Sequence, residues 1–436
     1  MRLNTLILGL CTASALAFAA HAETITIATV NNGDMIRMQK LTDDFTAKNP
    51  DIQLEWVTLE ENVLRERVTT DIATKGGQYD VMTIGTYEVP IWAKQDWLLP
   101  LDNLGADYDT ADIIPAIAGG LSVDGKLYAA PFYGESSFIM YRKDLFEKSG
   151  LTMPDAPTWD FVAEAARKIK ADNPDVNGIC LRGKAGWGEN MAFLTAMSNS
   201  FGARWFDEEW KPQFDQPEWK NTLQFYVDLM KDAGPQGASS NGFNENLALF
   251  QQGKCGMWID ATVAASFVSD PKDSTVADKV GYALAPDTGL GKRGNWLWAW
   301  SLAVPAGTQK AEAAEKFVSW ATSKDYLNLV ASKEGWANVP PGTRTSLYEN
   351  PEYQKAAPFA KMTLDSINSA DPTHPTVKPV PYVGVQFVAI PEFQGLGTTV
   401  GQLFSAALAG QMSVDDALKQ AQDAATATMT ESGYIQ

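Results

Sequence analysis

The chain has 436 residues, of which 45% are hydrophobic, so two globular domains are expected and global disorder is excluded. Acidic residues outnumber Lys and Arg by 53 to 35, which gives a net charge of −18 at pH 7. Such a charge repels nucleic-acid phosphates and anionic lipid, so neither is expected as a partner.

The first 22 residues have the pattern of a cleavable signal peptide. Arg2 precedes an apolar stretch, and Ala20-His21-Ala22 supplies the small residues of a signal-peptidase site. The apolar stretch is too short to span a bilayer. Leu10 precedes Cys11 where a lipoprotein site needs a small residue. The pattern predicts cleavage after Ala22 and a protein exported to the periplasm.

Strand and helix patterns alternate in the next hundred residues. Period-two runs predict strands at 24–30, 52–59 and 79–85, and apolar residues at helical spacing predict helices over 34–48 and around 64–72. This alternation is typical of a parallel sheet with helices on both faces. Loops that follow the strands in such sheets line the ligand crevice. Here these loops are Asn31-Asn32-Gly33, Glu60-Glu61-Asn62 and Gly85-Thr86-Tyr87-Glu88.

The later part of the chain adds a second set of elements. Buried strands are predicted at 178–181, 254–259, 280–285 and 296–304, and helices over 158–170 and 312–321. No single long linker divides the chain, so two domains joined by several crossings are expected.

Two cysteines remain after the signal peptide, Cys180 and Cys255. In an oxidising compartment they could form one disulfide, and as residues of apolar strands they could equally be two buried free thiols.

The sequence does not support any of the common catalytic or cofactor-binding motifs. His374 is the one histidine after the signal peptide, and no G-x-S-x-G, H-E-x-x-H or cysteine cluster is present. Residues 289–294 satisfy G-x-G-x-x-G but lead into a strand, so we interpret them as a flexible loop. No enzyme activity, cofactor or metal is therefore predicted.

Aromatic and carboxamide residues cluster near strand ends instead. Flat aromatic rings fit the C–H faces of a sugar, and Asp, Glu, Asn and Arg bind its hydroxyls. For each tryptophan taken alone, core packing is the better interpretation, and alternation places Trp296, Trp298 and Trp300 on one face. The tryptophans of this set are Trp187, Trp258, Trp296, Trp298, Trp300 and Trp336.

Two carboxylates allow three interpretations. Glu135 lies among apolar residues, and Asp260 directly follows a predicted strand. Both could accept hydrogen bonds from hydroxyl groups of one ligand. Alternatively, Glu135 could form an ion pair with Arg142 or Lys143. They could also be the acid and the nucleophile of a glycosidase.

Several collinear segments resemble those of the maltose-binding-like class of bacterial extracellular solute-binding proteins, which serve ABC importers. Within that class the chain is most similar to the sorbitol- and mannitol-binding branch. The segments are Tyr79-Asp80-Val81, Ala130-Pro131-Phe132, Tyr141-Arg142-Lys143-Asp144, Pro157-Thr158-Trp159-Asp160-Phe161, Gly253-Lys254-Cys255-Gly256-Met257-Trp258 and Gly335 to Arg344.

The resemblance implies a two-lobe α/β fold, in which each lobe is a mostly parallel sheet flanked by helices and the ligand lies in the cleft between them. It implies a first lobe of residues 23–133 with 302–335, and a second lobe of residues 136–297 with 340–436. The implied partners are a small neutral polyhydroxylated ligand and the membrane permease of an ABC importer, with the protein itself a monomer.

The resemblance also implies a set of ligand-binding residues. The same fold could instead hold a polyamine between Glu135, Asp260 and aromatic rings. An anionic sugar would need a desolvated cation, for which Arg344 is the candidate. The full predicted set is Asn31, Asn32, Tyr87, Glu135, Trp187, Trp258, Asp260, Asn295, Trp298, Asn338 and Arg344.

Overall fold

A computed structural model describes residues 22–436. The predicted signal peptide and its cleavage site lie almost entirely outside the described residues. Within them the chain forms eleven strands: β1 (Glu23–Val30), β2 (Ile52–Leu59), β3 (Val81–Ile84), β4 (Ser122–Val123), β5 (Lys126–Leu127), β6 (Ala129–Glu135), β7 (Ser137–Arg142), β8 (Asn177–Cys180), β9 (Cys255–Ala261), β10 (Val280–Leu284) and β11 (Trp298–Ala303).

Eighteen α-helices accompany these strands in the same part of the chain. They are α1 (Gly33–Lys40), α2 (Asp43–Lys48), α3 (Glu61–Thr74), α4 (Glu88–Ala93), α5 (Pro115–Gly120), α6 (Lys143–Lys148), α7 (Trp159–Asp172), α8 (Asn190–Ser200), α9 (Pro217–Ala233), α10 (Phe243–Gln251), α11 (Ala264–Val268), α12 (Ala311–Ala321), α13 (Lys324–Glu334), α14 (Thr345–Glu349), α15 (Pro351–Ala356), α16 (Ala360–Ser369), α17 (Phe393–Leu408) and α18 (Val414–Glu431).

The first lobe is built on a five-stranded sheet of order β2-β1-β3-β11-β6. Its strands β1, β2 and β3 pair in parallel, and β11 lies antiparallel between β3 and β6. Four of its five strands therefore point the same way, and α3 and α12 pack against it. Parallel strands bury both faces under helices, and all four residues of the central strand β3 are buried.

The second lobe is built on a four-stranded sheet of order β10-β7-β9-β8. Strands β8 and β9 are parallel, and β7 runs antiparallel to its neighbours β9 and β10. Helices α7, α9 and α10 pack on this sheet, and α17 packs against α8 and α9. A disulfide joins Cys180 of β8 to Cys255 of β9. The structure thus contains the first of the two arrangements that the sequence allowed.

The chain passes between the sheets at closely packed segments. Ser136 alone separates β6 from β7, and its hydroxyl donates a hydrogen bond to the Trp296 carbonyl in the segment between β10 and β11 (2.6 Å). Gly342, in the segment after α13, approaches Gly134 so closely that a Cβ there would lie 2.0 Å from the Gly134 oxygen. These contacts bring the connecting segments together at one edge of the cleft.

Most predicted elements are confirmed, with small shifts at their ends. Thr158 caps α7, since its hydroxyl oxygen accepts a hydrogen bond from the Phe161 amide. The helix predicted over 34–48 is wrong in one respect, because the structure divides it into α1 and α2. The hydroxyl of Thr42 donates to the Gln39 carbonyl at the break (2.8 Å). Such a local bond competes with helix continuation. Among residues 22–436, no helix has the length and apolarity needed to cross a membrane.

Candidate functional site

A cavity lies between the two lobes, where the ends of strands from both sheets meet. It encloses about 540 Å³, part of which is open to solvent. Six of its polar lining residues lie at or just after strand ends, as the crevice rule predicts. These residues are Asn31, Asn32, Glu60, Glu61, Glu135 and Arg182.

Hydrogen bonds join the lobes across this cavity. Asn244 of α10 donates from Nδ2 to the Asn31 carbonyl (3.1 Å), and Asn62 of α3 donates from Nδ2 to the Ala185 carbonyl (3.2 Å). Because the partners in each bond belong to different lobes, the structure has the closed form of the cleft.

Three tryptophans form the apolar wall. Trp296, Trp298 and Trp300 all line the inner part of the cavity. The rings of Trp298 and Trp300 lie edge to face, with centroids 5.4 Å apart. Among the described residues the indole N–H of Trp298 has no hydrogen-bond partner. The wall therefore offers ring faces together with an available donor, the combination that a sugar needs.

Arg65 of α3 is held behind this wall by two carboxylates. Its guanidinium donates to Glu88 Oε1 (2.6 Å) and to Glu61 Oε1 (2.8 and 3.1 Å). The guanidinium carbon also lies 4.9 Å from the ring centroid of Trp298 and 4.7 Å from that of Trp300. Cation–π contact and ion pairing thus fix both the arginine and the rings.

Arg182 follows β8 and lies at the opposite side of the cavity. It forms a two-pronged ion pair with Asp260, from Nε to Oδ2 (2.9 Å) and from Nη2 to Oδ1 (2.6 Å). The indole of Trp258 and the Ala261 amide also donate to Asp260. Both carboxylate oxygens are therefore engaged within the protein, and Asp260 orients Arg182 toward the cavity.

Glu135, at the end of β6, is 6% exposed and lines the cavity. Burial raises the pKa of its carboxyl well above the usual range, and the nearby charges of Asp260 and Glu61 raise it further. Arg182 opposes this shift. A side-chain hydrogen bond with Trp296 also opposes the shift. Of the two cations considered from the sequence, Arg142 pairs with Asp144 instead. Glu135 thus lines the cavity beside Arg182 and Trp296.

Glu189 and Lys184 form the charged rim of the cavity. Lys184 lies between Glu189 (3.5 Å) and Glu60, with which it forms a close ion pair. Burial raises the pKa of Glu189 to about 7, against the opposing attraction of Arg182 and Lys184. Its neighbours Glu61 and Glu60 add to the rise.

The structure places five of the eleven predicted ligand residues at the cavity. Asn31 and Asn32 line the outer part of the cavity, which also contains Lys184 and Glu189. Trp187 and Trp298 line the inner part, which contains the three-tryptophan wall. Glu135 lines both parts. Asn32 also caps α1, since its side-chain oxygen accepts a hydrogen bond from the Met35 amide (3.0 Å).

Tyr87 and Asp260 lie beside the cavity. The Tyr87 ring packs on Trp187 with centroids 4.9 Å apart, and its hydroxyl donates to the Ile390 carbonyl (3.0 Å). Asp260 stands behind Arg182. Each supports a residue of the lining.

Four predicted residues do not line this cavity. Trp258 is fully buried against Phe243 and Phe250. The remaining three donate hydrogen bonds to backbone carbonyl groups away from the cavity. Asn295 donates to the Ser366 carbonyl, Asn338 to the Glu334 carbonyl, and Arg344 to the carbonyls of Asp109 and Thr322.

The sequence interpretation missed several lining residues. Arg182 directly follows the predicted strand at 178–181, so the crevice rule alone could have found it. Glu61 was assigned to a rim loop but not to the ligand set. Arg65 gave no signal, because its position depends on a carboxylate 23 residues away in another element.

Comparisons with known proteins agree with this architecture. The family model of bacterial extracellular solute-binding proteins matches residues 32–327, which is more than half of the chain. The chain belongs to this family. This solute-binding protein is 57% identical over 416 residues to the mannitol-binding protein of Pseudomonas aeruginosa, with 95% of each chain covered.

Solved structures agree as well. The crystal structure of an ABC transporter solute-binding protein from Agrobacterium vitis with bound D-mannitol is 78% identical, with a TM-score of 0.94. The match covers 95% of this chain and 100% of that one. A solute-binding protein from Agrobacterium radiobacter in complex with ribitol has the same fold at 24% identity, with a TM-score of 0.82 and coverage of 94% and 99%. The predicted family and the two-lobe α/β fold are confirmed.

Proposed function

We propose that this solute-binding protein is the substrate-binding component of an ABC importer for a sugar alcohol, with D-mannitol favoured and sorbitol next. The observation that carries the proposal is the closed interlobe cavity, where three tryptophan faces meet Glu135, Glu61 and Arg182. Rings suit the C–H bonds of a polyol, and the polar groups suit its hydroxyls. D-mannitol appears as bound ligand in the similar structure from Agrobacterium vitis, and the similar protein of Pseudomonas aeruginosa is named mannitol-binding, which supports this choice.

Charge pairing within the protein favours a neutral ligand. Arg182 is neutralised by Asp260, and Arg65 by Glu61 and Glu88. A phosphorylated sugar would have to compete with one of these buried pairs, whose separation is costly. A polyamine would meet the Glu135 carboxyl, whose raised pKa favours its neutral form. Arg344, the cation considered for an anionic ligand, is bound to carbonyls elsewhere.

The same contacts weigh against a glycosidase. A nucleophilic Asp260 would need a free oxygen near the sugar, yet both oxygens accept hydrogen bonds from Arg182. We therefore propose capture and release without a catalytic step.

The remaining parts of the proposal follow from family membership. The protein acts as a monomer in the periplasm after cleavage behind Ala22, and it delivers its ligand to a membrane permease. The predicted lobes are residues 23–133 with 302–335 and residues 136–297 with 340–436, and the sheet of the first lobe extends these bounds to Glu135 at the end of β6 and to Trp298 at the start of β11. Ligand binding closes the lobes, because only the closed form completes the cavity.

A thermal-shift screen tests the proposal, since a ligand that binds the native state raises its stability. The panel contains alditols, sugars, polyamines and phosphorylated sugars. We expect the largest shift with D-mannitol or sorbitol, and no new product after long incubation with glycosides. A polyamine that shifts stability more than every alditol would refute the proposed ligand class, and a released sugar would refute the absence of catalysis.

A further inference from the structure

Two spaces in the interlobe cleft share one partition. The first, which we call the inner chamber, is lined by Glu135, Arg182, Trp296, Trp298 and Trp300. The second, which we call the outer groove, encloses about 1190 Å³ and is partly open to solvent. Arg65 and Trp187 line both spaces. These two side chains, which we call the partition, therefore separate the chamber from the groove.

The outer groove has the chemistry of a sugar site. It is lined by the rings of Tyr87, Trp92 and Trp97, of which Trp97 is the most exposed, and by the amides of Gln95 and Gln394. A ring face and amide groups are what a pyranose needs for its C–H faces and its hydroxyls. The lining comes from α3, α4 and the segment after α4 in the first lobe, and from α17 and Trp187 in the second. The inner chamber is likewise lined by residues of both lobes.

The partition is tightly built. The Arg65 guanidinium carbon lies 3.9 Å from the Trp187 ring centroid, and both side chains are almost fully buried. Glu88 and Glu61 hold the guanidinium, while Tyr87 packs on the other face of the cluster with its ring centroid 4.9 Å from Trp187. A chain of sugar units could not pass between the two spaces without displacing one of these groups.

We propose that Arg65 and Trp187 determine ligand size. The partition restricts the inner chamber to a single acyclic polyol and excludes a polyol that carries a glycosyl residue. Without the Trp187 ring, that glycosyl residue extends into the outer groove. This inference rests on the proposed polyol function.

Calorimetric titration with D-mannitol and with a glucosyl-mannitol tests the partition. The measured quantity is the ratio of the two dissociation constants. In the unmodified protein we expect D-mannitol to bind at least about a hundredfold more tightly. Trp187→Ala opens the partition and should reduce this ratio by roughly tenfold or more. Trp187→Phe is the matched control, because it keeps an aromatic ring in place and should leave a large preference for D-mannitol.

Each other outcome has a definite meaning. A ratio in Trp187→Ala within a factor of about two of the unmodified protein overturns this inference alone, as does an unmodified protein that binds both ligands equally. An unmodified protein that binds neither ligand overturns the proposed function and this inference with it. Circular dichroism checks folding, and if Trp187→Ala does not fold, the same ratio measured in Trp187→Leu decides.

Discussion

Replacing Asp260 with Asn should destabilise the ligand-free protein. Asp260 is fully buried and accepts two hydrogen bonds from Arg182, one from the Trp258 indole and one from the Ala261 amide. An amide of the same shape retains one accepting oxygen and turns an NH₂ group toward donors. Removing one partner of a buried ion pair costs about 3–5 kcal/mol. Arg182 retains a second carboxylate partner, Glu189, at 3.5 Å. We therefore expect the free energy of unfolding to fall by about 3 kcal/mol, the lower end of that range.

Urea unfolding without ligand, followed by tryptophan fluorescence, measures this loss. Asp365→Asn is the matched control, because Asp365 forms an exposed ion pair with Lys361 on one helix. Such a pair contributes about 0.5 kcal/mol or less. A free energy of unfolding for Asp260→Asn within about 1 kcal/mol of the unmodified protein would refute the assignment of Asp260 as the residue that holds Arg182.

Three further results are expected. Glu135→Gln should weaken D-mannitol binding by roughly 1–3 kcal/mol in calorimetric titration, because a desolvated hydroxyl then meets a mismatched group; an unchanged affinity would remove Glu135 from the site. Glu189 has a pKa raised to about 7 in the folded protein, so its contribution to stability is complete below its ordinary pKa near 4.5 and is lost as the pH rises through 7. The free energy of unfolding should therefore fall less between pH 5 and pH 8 in Glu189→Gln than in the unmodified protein. The same fall in both proteins would contradict a raised pKa of Glu189. Replacing both Cys180 and Cys255 with Ser should cost about 2–4 kcal/mol of stability in urea unfolding, while thiol titration of the denatured, unreduced protein should find no free thiol.

The strand-end rule accounts for most of what the sequence predicted of the site. Asn31, Asn32 and Glu135 lie where their strands end, and period-two alternation placed three tryptophans on one face that does line the cavity. These features are local, because side-chain direction in a strand follows directly from the backbone.

Features that depend on packing between distant segments could not be predicted. Trp258 lies in the middle of β9, where α10 covers it with Phe243 and Phe250. Nothing in the sequence near Trp258 indicates that cover. The Arg65–Glu88 pair likewise forms only once α3 and α4 pack together, so neither residue showed its role in advance.

The connecting segments misled the sequence interpretation for a different reason. Irregular backbone leaves carbonyl groups without partners, and nearby side chains supply the missing donors. Asn295, Asn338 and Arg344 serve this need, so polar residues near the crossings resembled ligand groups while they bind the protein itself.

Calorimetric titration of the purified protein with D-mannitol tests the central claim most directly. We expect saturable binding of one D-mannitol per chain. We also expect binding at least about tenfold weaker in Trp300→Ala, because this change removes a ring that lines both parts of the cavity. The absence of binding to the unmodified protein, or equal affinity in the folded variant, would contradict it.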